Sequence, residues 1–255
     1  MGILEVNHIK KVYKTKIGGT EVEALKDIHF SVESGEFVAI MGESGSGKTT
    51  LLNILAALDK PTSGRVCVAG KDLTAIRDKD RAEFRRNNLG FIFQDFNLLD
   101  NFSIEDNIML PLVLAGEDYK TMRVKLFPIA SSLAIDSLLK KYPYEVSGGQ
   151  KQRAAVARAL ITNPSILLAD EPTGALDSKS STKLLEQLRE INKTGQTILM
   201  VTHSNVAASY ANRVMFIKDG EVFHQIYKGD MKRSEMLDKI CDSVTVLMRG
   251  GENDE

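Results

Sequence analysis

Gly42 to Thr50 reads GESGSGKTT, between an apolar run at 37–41 and a mostly apolar run at 51–58. The order strand, glycine-rich turn, helix, with the pattern G-x-x-x-x-G-K-[ST], is typical of a loop that wraps around a phosphate. Glycines let the backbone approach an anion closely, and the N–H groups at the start of the following helix point toward it. The sequence therefore predicts a triphosphate-binding loop, and a flexible glycine–serine linker is the weaker alternative.

Two side chains of this loop have specific predicted roles. Lys48 supplies a positive charge for the terminal phosphates, and Thr49 offers a hydroxyl ligand to Mg²⁺. We expect every position of the loop to contact the nucleotide. These candidate nucleotide-binding residues are Gly42, Glu43, Ser44, Gly45, Ser46, Gly47, Lys48, Thr49 and Thr50.

Length and composition narrow the class of protein. A chain of 255 residues can bury a full α/β core, and a formal net charge of −1 gives no electrostatic drive toward nucleic acid. Cys67 and Cys241 have no metal-ligand spacing and indicate reduced cytosolic thiols. Residues 1–16 lack the apolar centre of a signal peptide, and 108–115 is too short to span a bilayer. We expect a soluble protein, without a nucleic-acid partner, that reaches a membrane only through another protein.

Short strands and helices alternate along the chain. Ile3 to Val6 and Lys26 to Val32 resemble antiparallel strands, and Tyr13 is predicted in a polar loop between them. Further strands are predicted at 36–41, 64–69, 89–93, 166–169, 197–201, 213–218 and 221–225, the last two as a hairpin. The continuous apolar runs are typical of strands buried on both faces. This pattern predicts an α/β fold with a mainly parallel sheet, helices on both sides, and an N-terminal antiparallel β subdomain.

The middle of the chain, from residue 95 to about 164, has a helical character. An amphipathic helix is expected at 119–135, where Pro128 should kink or interrupt it. A helix capped by Ser147 is expected to run to about Thr162. We interpret this block as an inserted helical subdomain.

The predicted domain boundaries follow from this pattern. One nucleotide-binding domain is predicted at 1–231, with the helical subdomain at about 95–163 inserted in it. The tail, 232–255, alternates between weakly helical and polar stretches, and its last six residues are expected to be disordered.

Two acidic residues follow the apolar strand 166–169. Asp170 lies at the carboxyl end of that strand, where open α/β sheets place ligand-binding groups, and is predicted to hold Mg²⁺ directly or through water. Glu171, one residue further, would face the γ-phosphate and polarise the attacking water. An ordinary acidic pair that caps the next turn is the alternative, which the upstream phosphate loop weakens.

His203 and Gln94 also follow apolar strands. His203 ends the strand that begins at Thr197, where it is placed to hydrogen-bond the γ-phosphate and orient the water. Gln94 ends a fourth apolar strand, and a neutral amide there contacts metal or water without adding charge. For Gln94 the alternative is a polar residue that simply leaves a strand. The remaining histidines are interpreted as ordinary surface or core groups: His8, His29 and His224.

A second anion-binding helix start lies far along the chain from the phosphate loop. Val146 to Gln150 reads VSGGQ, and a serine with two glycines at a helix start presents N–H groups to an anion. A plain N-cap followed by flexible glycines is the alternative. Because one chain has two such helix starts, the sequence suggests two chains sharing one nucleotide.

Residues 36–225 resemble the nucleotide-binding subunit of an ABC transporter, a P-loop NTPase, motif by motif. The matching elements are Walker A at 42–50, the Q-loop at Gln94, the signature at 146–150, Walker B at 166–170, the catalytic glutamate at Glu171, the D-loop at 175–177, the switch histidine at His203 and the adenine-stacking aromatic at Tyr13. Val146 stands where leucine is commonest in the signature, a mild departure from the family pattern.

The resemblance implies a head-to-tail dimer of two copies of this chain with two ATP molecules and Mg²⁺. Ser147, Gly149 and Gln150 of one subunit would close over the γ-phosphate held by Lys48 of the other. The remaining implied nucleotide contacts are Gly148 and Asp177. The implied catalytic residues are Lys48, Gln94, Glu171 and His203, and the implied metal ligands are Thr49, Gln94 and Asp170.

Three stretches narrow the resemblance to the Bce-type family: FIFQDFNLLD (91–100), DEPTGALDSKSS (170–181) and VAASYANRVMFIKDG (206–220). Cassettes of that family serve permeases that protect Gram-positive bacteria from bacitracin and lantibiotics, and their wider kin are macrolide-exporter, lipoprotein-releasing and cell-division cassettes. The resemblance implies an ATPase at the cytoplasmic face of the membrane, bound to a permease and, through it, to a sensor histidine kinase.

Three other classes of function compete with transport. A regulatory protein that signals to a membrane partner through ATP-gated dimerisation needs the same residues, and so stays open. A chromosome-maintenance ATPase needs a long heptad insertion between Lys48 and Asp170, and a translation ATPase usually has two phosphate loops. The sequence contains neither feature.

Overall fold

The structure, a computed structural model, describes residues 2–14 and 21–249. In that part of the chain the strands are β1 (Leu4–Lys14), β2 (Glu21–Val32), β3 (Phe37–Gly42), β4 (Ser63–Val68), β5 (Lys71–Asp72), β6 (Leu89–Ile92), β7 (Ile166–Asp170), β8 (Thr197–Val201), β9 (Arg213–Lys218) and β10 (Glu221–Tyr227). The helices are α1 (Lys48–Leu55), α2 (Asp78–Asn88), α3 (Ile104–Leu114), α4 (Tyr119–Ser132), α5 (Gly148–Leu160), α6 (Ser178–Lys193), α7 (Asn205–Ala208) and α8 (Arg233–Arg249).

The described strands form one sheet in the order β5-β4-β1-β2-β10-β9-β3-β8-β7-β6. The half from β9 to β6 is parallel, because β3 pairs with β8 and β9, and β7 pairs with β8 and β6. The N-terminal strands β1, β2, β4 and β5 pair in an antiparallel manner. The predicted fold class, an α/β fold with a mainly parallel sheet and an antiparallel N-terminal part, is confirmed.

Strand β3 lies between two apolar cores. Phe37, Ala39 and Met41 belong to the core that helices α3 to α6 cover, whereas Val38 and Ile40 belong to the core formed with α1 and the antiparallel strands. All five side chains are at most 2% exposed. Because successive side chains of a strand point to opposite faces, a continuous apolar run is what a strand covered on both faces requires.

The predicted position of Tyr13 is wrong. Tyr13 does not lie in a loop, because β1 extends to Lys14 and Tyr13 pairs with Val22 of β2. The register of β1 on β2 shifts between Val6 and Ile9 and again before Lys11. These irregularities interrupt the alternation of apolar and polar residues from which a strand is recognised.

Pro128 was expected to kink or interrupt its helix, and it does not interrupt it. Helix α4 contains Pro128 and ends at Ser132, three residues before the predicted end at Ile135. Leu126 and Ala130, on either side of the proline, are fully buried. Tertiary packing therefore retains the helix despite the hydrogen bond that proline cannot make.

The tail is also more regular than expected. Residues 233–249 form one helix, α8, in which Met236, Ile240 and Leu247 are buried, so an apolar stripe at helical spacing replaces the predicted alternation. The expected disorder of residues 250–255 lies outside the described part of the chain. No helix of the described residues has both the length and the apolar character needed to cross a bilayer. The domain boundaries stay predictions.

Candidate functional site

The phosphate loop is packed directly on the backbone of the sheet. Gly42, at the end of β3, has φ 156°, and a Cβ there would lie 2.2 Å from the carbonyl oxygen of Ile217. Gly47 has φ 99°, and a Cβ there would lie 2.5 Å from the carbonyl oxygen of Ala24. Only glycine fits at these two positions without moving the backbone, and their close packing fixes the start of α1 behind the loop.

Lys48 lies over this loop. Its Nζ donates hydrogen bonds to the carbonyl oxygens of Gly42 (2.8 Å) and Glu43 (2.6 Å). Burial lowers the pKa of Lys48, and the negative charges of Glu171, Asp170 and Glu43 oppose that shift. The ammonium group is thus partly removed from water. At such a partly buried site its attraction to a phosphate is stronger than at an exposed site.

Three chain segments meet beside Lys48 because β8 lies between β3 and β7 in the sheet. The phosphate loop follows β3, Glu171 follows β7, and His203 follows β8. Together they line a cavity of about 490 Å³, with Asn205 of α7 and Val244 and Leu247 of α8 on its other side. The sheet order therefore brings together the predicted phosphate, catalytic and switch positions at the carboxyl edge of parallel strands.

Glu171 is held in an uncommon conformation. Its φ is 44°, in the left-handed region that residues other than glycine rarely adopt. Its Oε1 lies 2.7 Å from His203 Nδ1 and accepts a hydrogen bond from the backbone N–H of His203 (2.9 Å). Thr202 Oγ1 donates to its other carboxylate oxygen (3.2 Å). The carboxylate and the imidazole therefore form one unit at the cavity.

The predicted metal ligands are Thr49, Gln94 and Asp170. Burial raises the pKa of Asp170, and the nearby charge of Lys48 opposes that shift. All three offer oxygen atoms, the donors that Mg²⁺ prefers, and only one is a carboxylate. Among the described residues, no group of three or more His, Cys, Asp or Glu could hold a metal alone. This donor set fits a Mg²⁺ ion that takes its remaining ligands from water and nucleotide phosphates.

Gln94 and Tyr13 lie outside the residues that line this cavity. A Cβ at Gly174 would lie 3.0 Å from Gln94 Nε2, so the amide packs against the turn that follows Glu171. Tyr13 is 42% exposed, and its hydroxyl donates to Asp59 Oδ2 (2.9 Å) just after α1. Burial and this hydrogen bond raise the pKa of Tyr13, while a hydrogen bond with Thr50 lowers it. Tyr13 is therefore tied to the helix of the phosphate loop.

The signature residues begin α5, also outside the cavity lining. Gln150 Oε1 accepts a hydrogen bond from the backbone N–H of Ser147 (2.8 Å), and Ser147 Oγ accepts a long one from the N–H of Gln150 (3.4 Å). A Cβ at Gly149 would lie 2.8 Å from Ser180 Oγ, and Ser180 in turn donates to Asp177 Oδ2 (2.6 Å). The structure thus joins the signature residues to Asp177.

Sequence reasoning missed three contributors to these sites. Thr202 holds Glu171, Ser180 links Asp177 to Gly149, and Asn205 lines the cavity. The one available signal was position, since Thr202 precedes the predicted histidine at the same strand end.

A phosphate loop, an acidic strand end and a histidine at one edge of a parallel sheet define a P-loop nucleotide-binding protein.

Comparison with known proteins agrees with this class. Residues 25–174 match the ABC transporter family. The ABC transporter ATP-binding protein YxdL of Bacillus subtilis (strain 168) is 52% identical over 253 residues, covering 99% of this chain and 96% of the relative. The bacitracin export ATP-binding protein BceA of Halalkalibacterium halodurans is 50% identical over 255 residues, covering 100% of both. A solved dimer of the ATP-binding cassette MJ0796, in a post-hydrolysis state bound to ADP and Pi, is similar with a TM-score of 0.79 and 36% identity, covering 90% of this chain and 99% of that one.

The chain therefore belongs to the ABC transporter family, as an ATP-binding domain. The family predicted from the motifs is confirmed, and the narrower resemblance to the bacitracin type agrees with the identity to BceA. Family membership and the nucleotide-bound neighbour support ATP hydrolysis in general. The roles given to individual residues stay predictions.

Proposed function

We propose that this chain is the ATP-hydrolysing subunit of an ABC transporter, and that two copies close on ATP to drive a membrane permease. The observation that carries the proposal is the paired Glu171 and His203 beside Lys48, in a cavity whose lining does not include the signature residues 147–150. A second copy would supply those residues. The nucleotide-bound dimer of MJ0796 supports this arrangement, because that cassette is similar over 90% of this chain.

In the proposed mechanism, Lys48 and the loop N–H groups bind the phosphates, and Tyr13 stacks on adenine. Thr49, Gln94 and Asp170 would hold Mg²⁺, which would supply positive charge beside the phosphate oxygens. Glu171 would orient the attacking water, and its hydrogen bonds from His203 and Thr202 fix the direction of the carboxylate.

The dimer contact would use the start of α5. Ser147 is exposed and its hydroxyl accepts only a long hydrogen bond, so it is available to a phosphate of the other copy. The first N–H groups of α5 add the favourable end of a helix dipole. Asp177, joined to this region through Ser180, would face the partner as well. Each ATP would then attract both chains, and its hydrolysis would release them.

A groove beside Arg158 and α3 is the proposed permease contact. It has a volume of about 470 Å³ and lies between the end of α1, α2, α3 and α5. Leu58 and Leu114 line it and are 52% and 65% exposed. Arg85 and Arg86 of α2 also line it. An amphipathic helix with an apolar face and a carboxylate or helix C-terminus would fit this combination.

The proposed biological role is protection against bacitracin-type or lantibiotic-type peptides, at the cytoplasmic face of the membrane. It is supported by the identity with BceA over the whole chain. The link to a sensor histidine kinase stays a prediction from the resemblance.

Tagged protein is expected to co-purify with a membrane protein that has ten helices and a large extracellular domain. A strain with Lys48→Ala should lose its protection against bacitracin, and unchanged protection would count against this role.

The ATPase part of the proposal is tested with Glu171→Gln. We expect the variant to bind ATP, to lose nearly all turnover, and to accumulate as an ATP-dependent dimer on size-exclusion chromatography, because the water is no longer oriented. Glu190→Gln is the matched control, since Glu190 pairs with Lys193 on the surface of α6. Undiminished hydrolysis by Glu171→Gln would refute the assigned role.

A further inference from the structure

The loop that follows Gln94 has two consecutive residues in an unfavourable conformation. Phe96 has φ 61° and Asn97 has φ 49°, both in the left-handed region. Single residues other than glycine visit this region uncommonly, and two in succession have no intrinsic preference for it. Contacts from elsewhere in the fold must therefore hold the loop in this shape.

Arg158 of helix α5 provides such contacts. Its Nη1 donates to the carbonyl oxygen of Asn97 (2.5 Å), and its Nη2 donates to the carbonyl oxygen of Phe96 (2.9 Å). Both strained residues are thus held by the two arms of one guanidinium. Lysine cannot reproduce this planar, two-pronged geometry, although it has the same charge.

Helix α5 also holds the other side of Gln94. Gln152, which is fully buried, donates through Nε2 to the carbonyl oxygens of Phe93 (3.1 Å) and Pro172 (2.8 Å). At the start of the same helix, a Cβ on Gly148 would lie 3.6 Å from Cζ of Phe96. The helix that begins with the signature therefore contacts the loop both before and after Gln94.

The same arginine faces the groove proposed for the permease. Arg158 and Asn97 both line that groove, together with Leu110 and Leu114 of α3. A helix that occupies the groove would lie beside Asn97, one of the two residues that the guanidinium holds. One side chain thus connects the groove, the Gln94 loop and the signature helix.

We propose that Arg158 is a positioning residue, which fixes the Gln94 loop on the signature helix and thereby aligns both for ATP hydrolysis. This inference deepens the proposed function and rests on it. Arg158 acts through Gln94 and through the orientation of α5, without touching the nucleotide.

The first test compares Arg158→Lys with Arg123→Lys in the purified full chain. Arg123 lies in the same helical block and bonds Glu105 and Tyr119, away from the loop. We expect Arg158→Lys to lower kcat for ATP about tenfold with KM changed less than about twofold, because binding is kept and alignment is lost. Arg123→Lys should keep the wild-type kcat. Equal kcat values for Arg158→Lys and wild type would overturn the proposal.

A second test asks whether Arg158 acts through Gln94. The variants Arg158→Met, Gln94→Ala and the double variant form a double-mutant cycle. If two residues act as one unit, the effects of their substitutions on kcat are not additive in free energy. We expect the double variant to lose about as much kcat as the more impaired single variant. Losses that multiply would contradict action through Gln94.

Hydrogen exchange separates positioning from simple loss of fold. Arg158→Met should speed amide exchange in residues 93–98, while exchange in the core strand β7 stays at the wild-type rate. Faster exchange throughout the chain, or an unchanged exchange rate at residues 93–98, would refute the inference. This readout needs no ATP turnover. A wild-type chain that fails to hydrolyse ATP would instead refute the proposed function.

Discussion

Glu171 shows how this site stores strain. A left-handed backbone in a residue other than glycine costs about 1–3 kcal/mol and persists only where the surroundings determine it. Here the N–H of Glu171 donates to Val201 (2.9 Å), and its carbonyl accepts from Gly174 (2.9 Å). Both bonds fix the turn after β7, and the carboxylate is thereby directed at His203. We interpret this strain as the cost of holding the proposed catalytic carboxylate in one direction.

Tyr13 permits a test of base recognition at a single residue. Replacing Tyr13 with Ala should weaken ATP binding by about 1–3 kcal/mol, the range for base–aromatic stacking. Tyr13→Phe keeps the ring and loses the hydroxyl, with its hydrogen bonds to Asp59 and Thr50, so its affinity should stay near wild type. Isothermal titration calorimetry with ATP measures both.

Inorganic tripolyphosphate is the control for this prediction, because it has the phosphates without the base. Its affinity should be the same for Tyr13→Ala and wild type. If Tyr13→Ala bound ATP as tightly as Tyr13→Phe, the ring would have no role in stacking.

At the scale of elements, the sequence predicted what depends on local pattern. The loop at 42–50 and the strands around Asp170 and His203 follow from short apolar runs and their end residues. The pairing of His203 with Glu171 could not be predicted, because it depends on the position of β8 between β3 and β7. The extension of β1 past Tyr13 could not be predicted either, since register shifts hide its alternation.

Helix α8 was the least predictable element. Its buried positions are Met236, Ile240 and Leu247. Charged, polar and less buried apolar residues such as Val246 lie between them, so only the helical spacing marks the buried stripe. The helix packs against α7, which follows His203, and Asn205 Nδ2 donates to Cys241 Sγ (3.4 Å). The tail therefore supports one wall of the nucleotide cavity.

The packing of α8 predicts a stability effect. Ile240→Ala should lower the free energy of unfolding by about 2–5 kcal/mol, because Ile240 is fully buried and its removal leaves a cavity. Val246→Ala is the matched control on the same helix, at a position that is 61% exposed, and should change stability by less than about 0.5 kcal/mol. Urea denaturation midpoints compare the two. Equal midpoints would mean that α8 does not pack as described.

At the scale of the whole molecule, the two anion-binding helix starts lie in different environments. The loop at 42–50 lines the cavity with Glu171 and His203, whereas Ser147 starts a helix whose first residues contact Phe96, Leu176 and Ser180. To complete a nucleotide site, a chain with this arrangement would have to pair with a second chain. We propose that each site is shared between two copies.

Mixing two inactive variants tests that claim most directly. Lys48→Ala removes the positive charge that would bind the phosphates. Ser147→Asp keeps a good helix cap but places a negative charge toward the partner's phosphate. Each variant alone should be inactive. In an equal mixture, half of the dimers are mixed and have one intact site, so ATP turnover should recover to about a quarter of the wild-type rate. Turnover that stays at the level of the single variants would contradict a shared site.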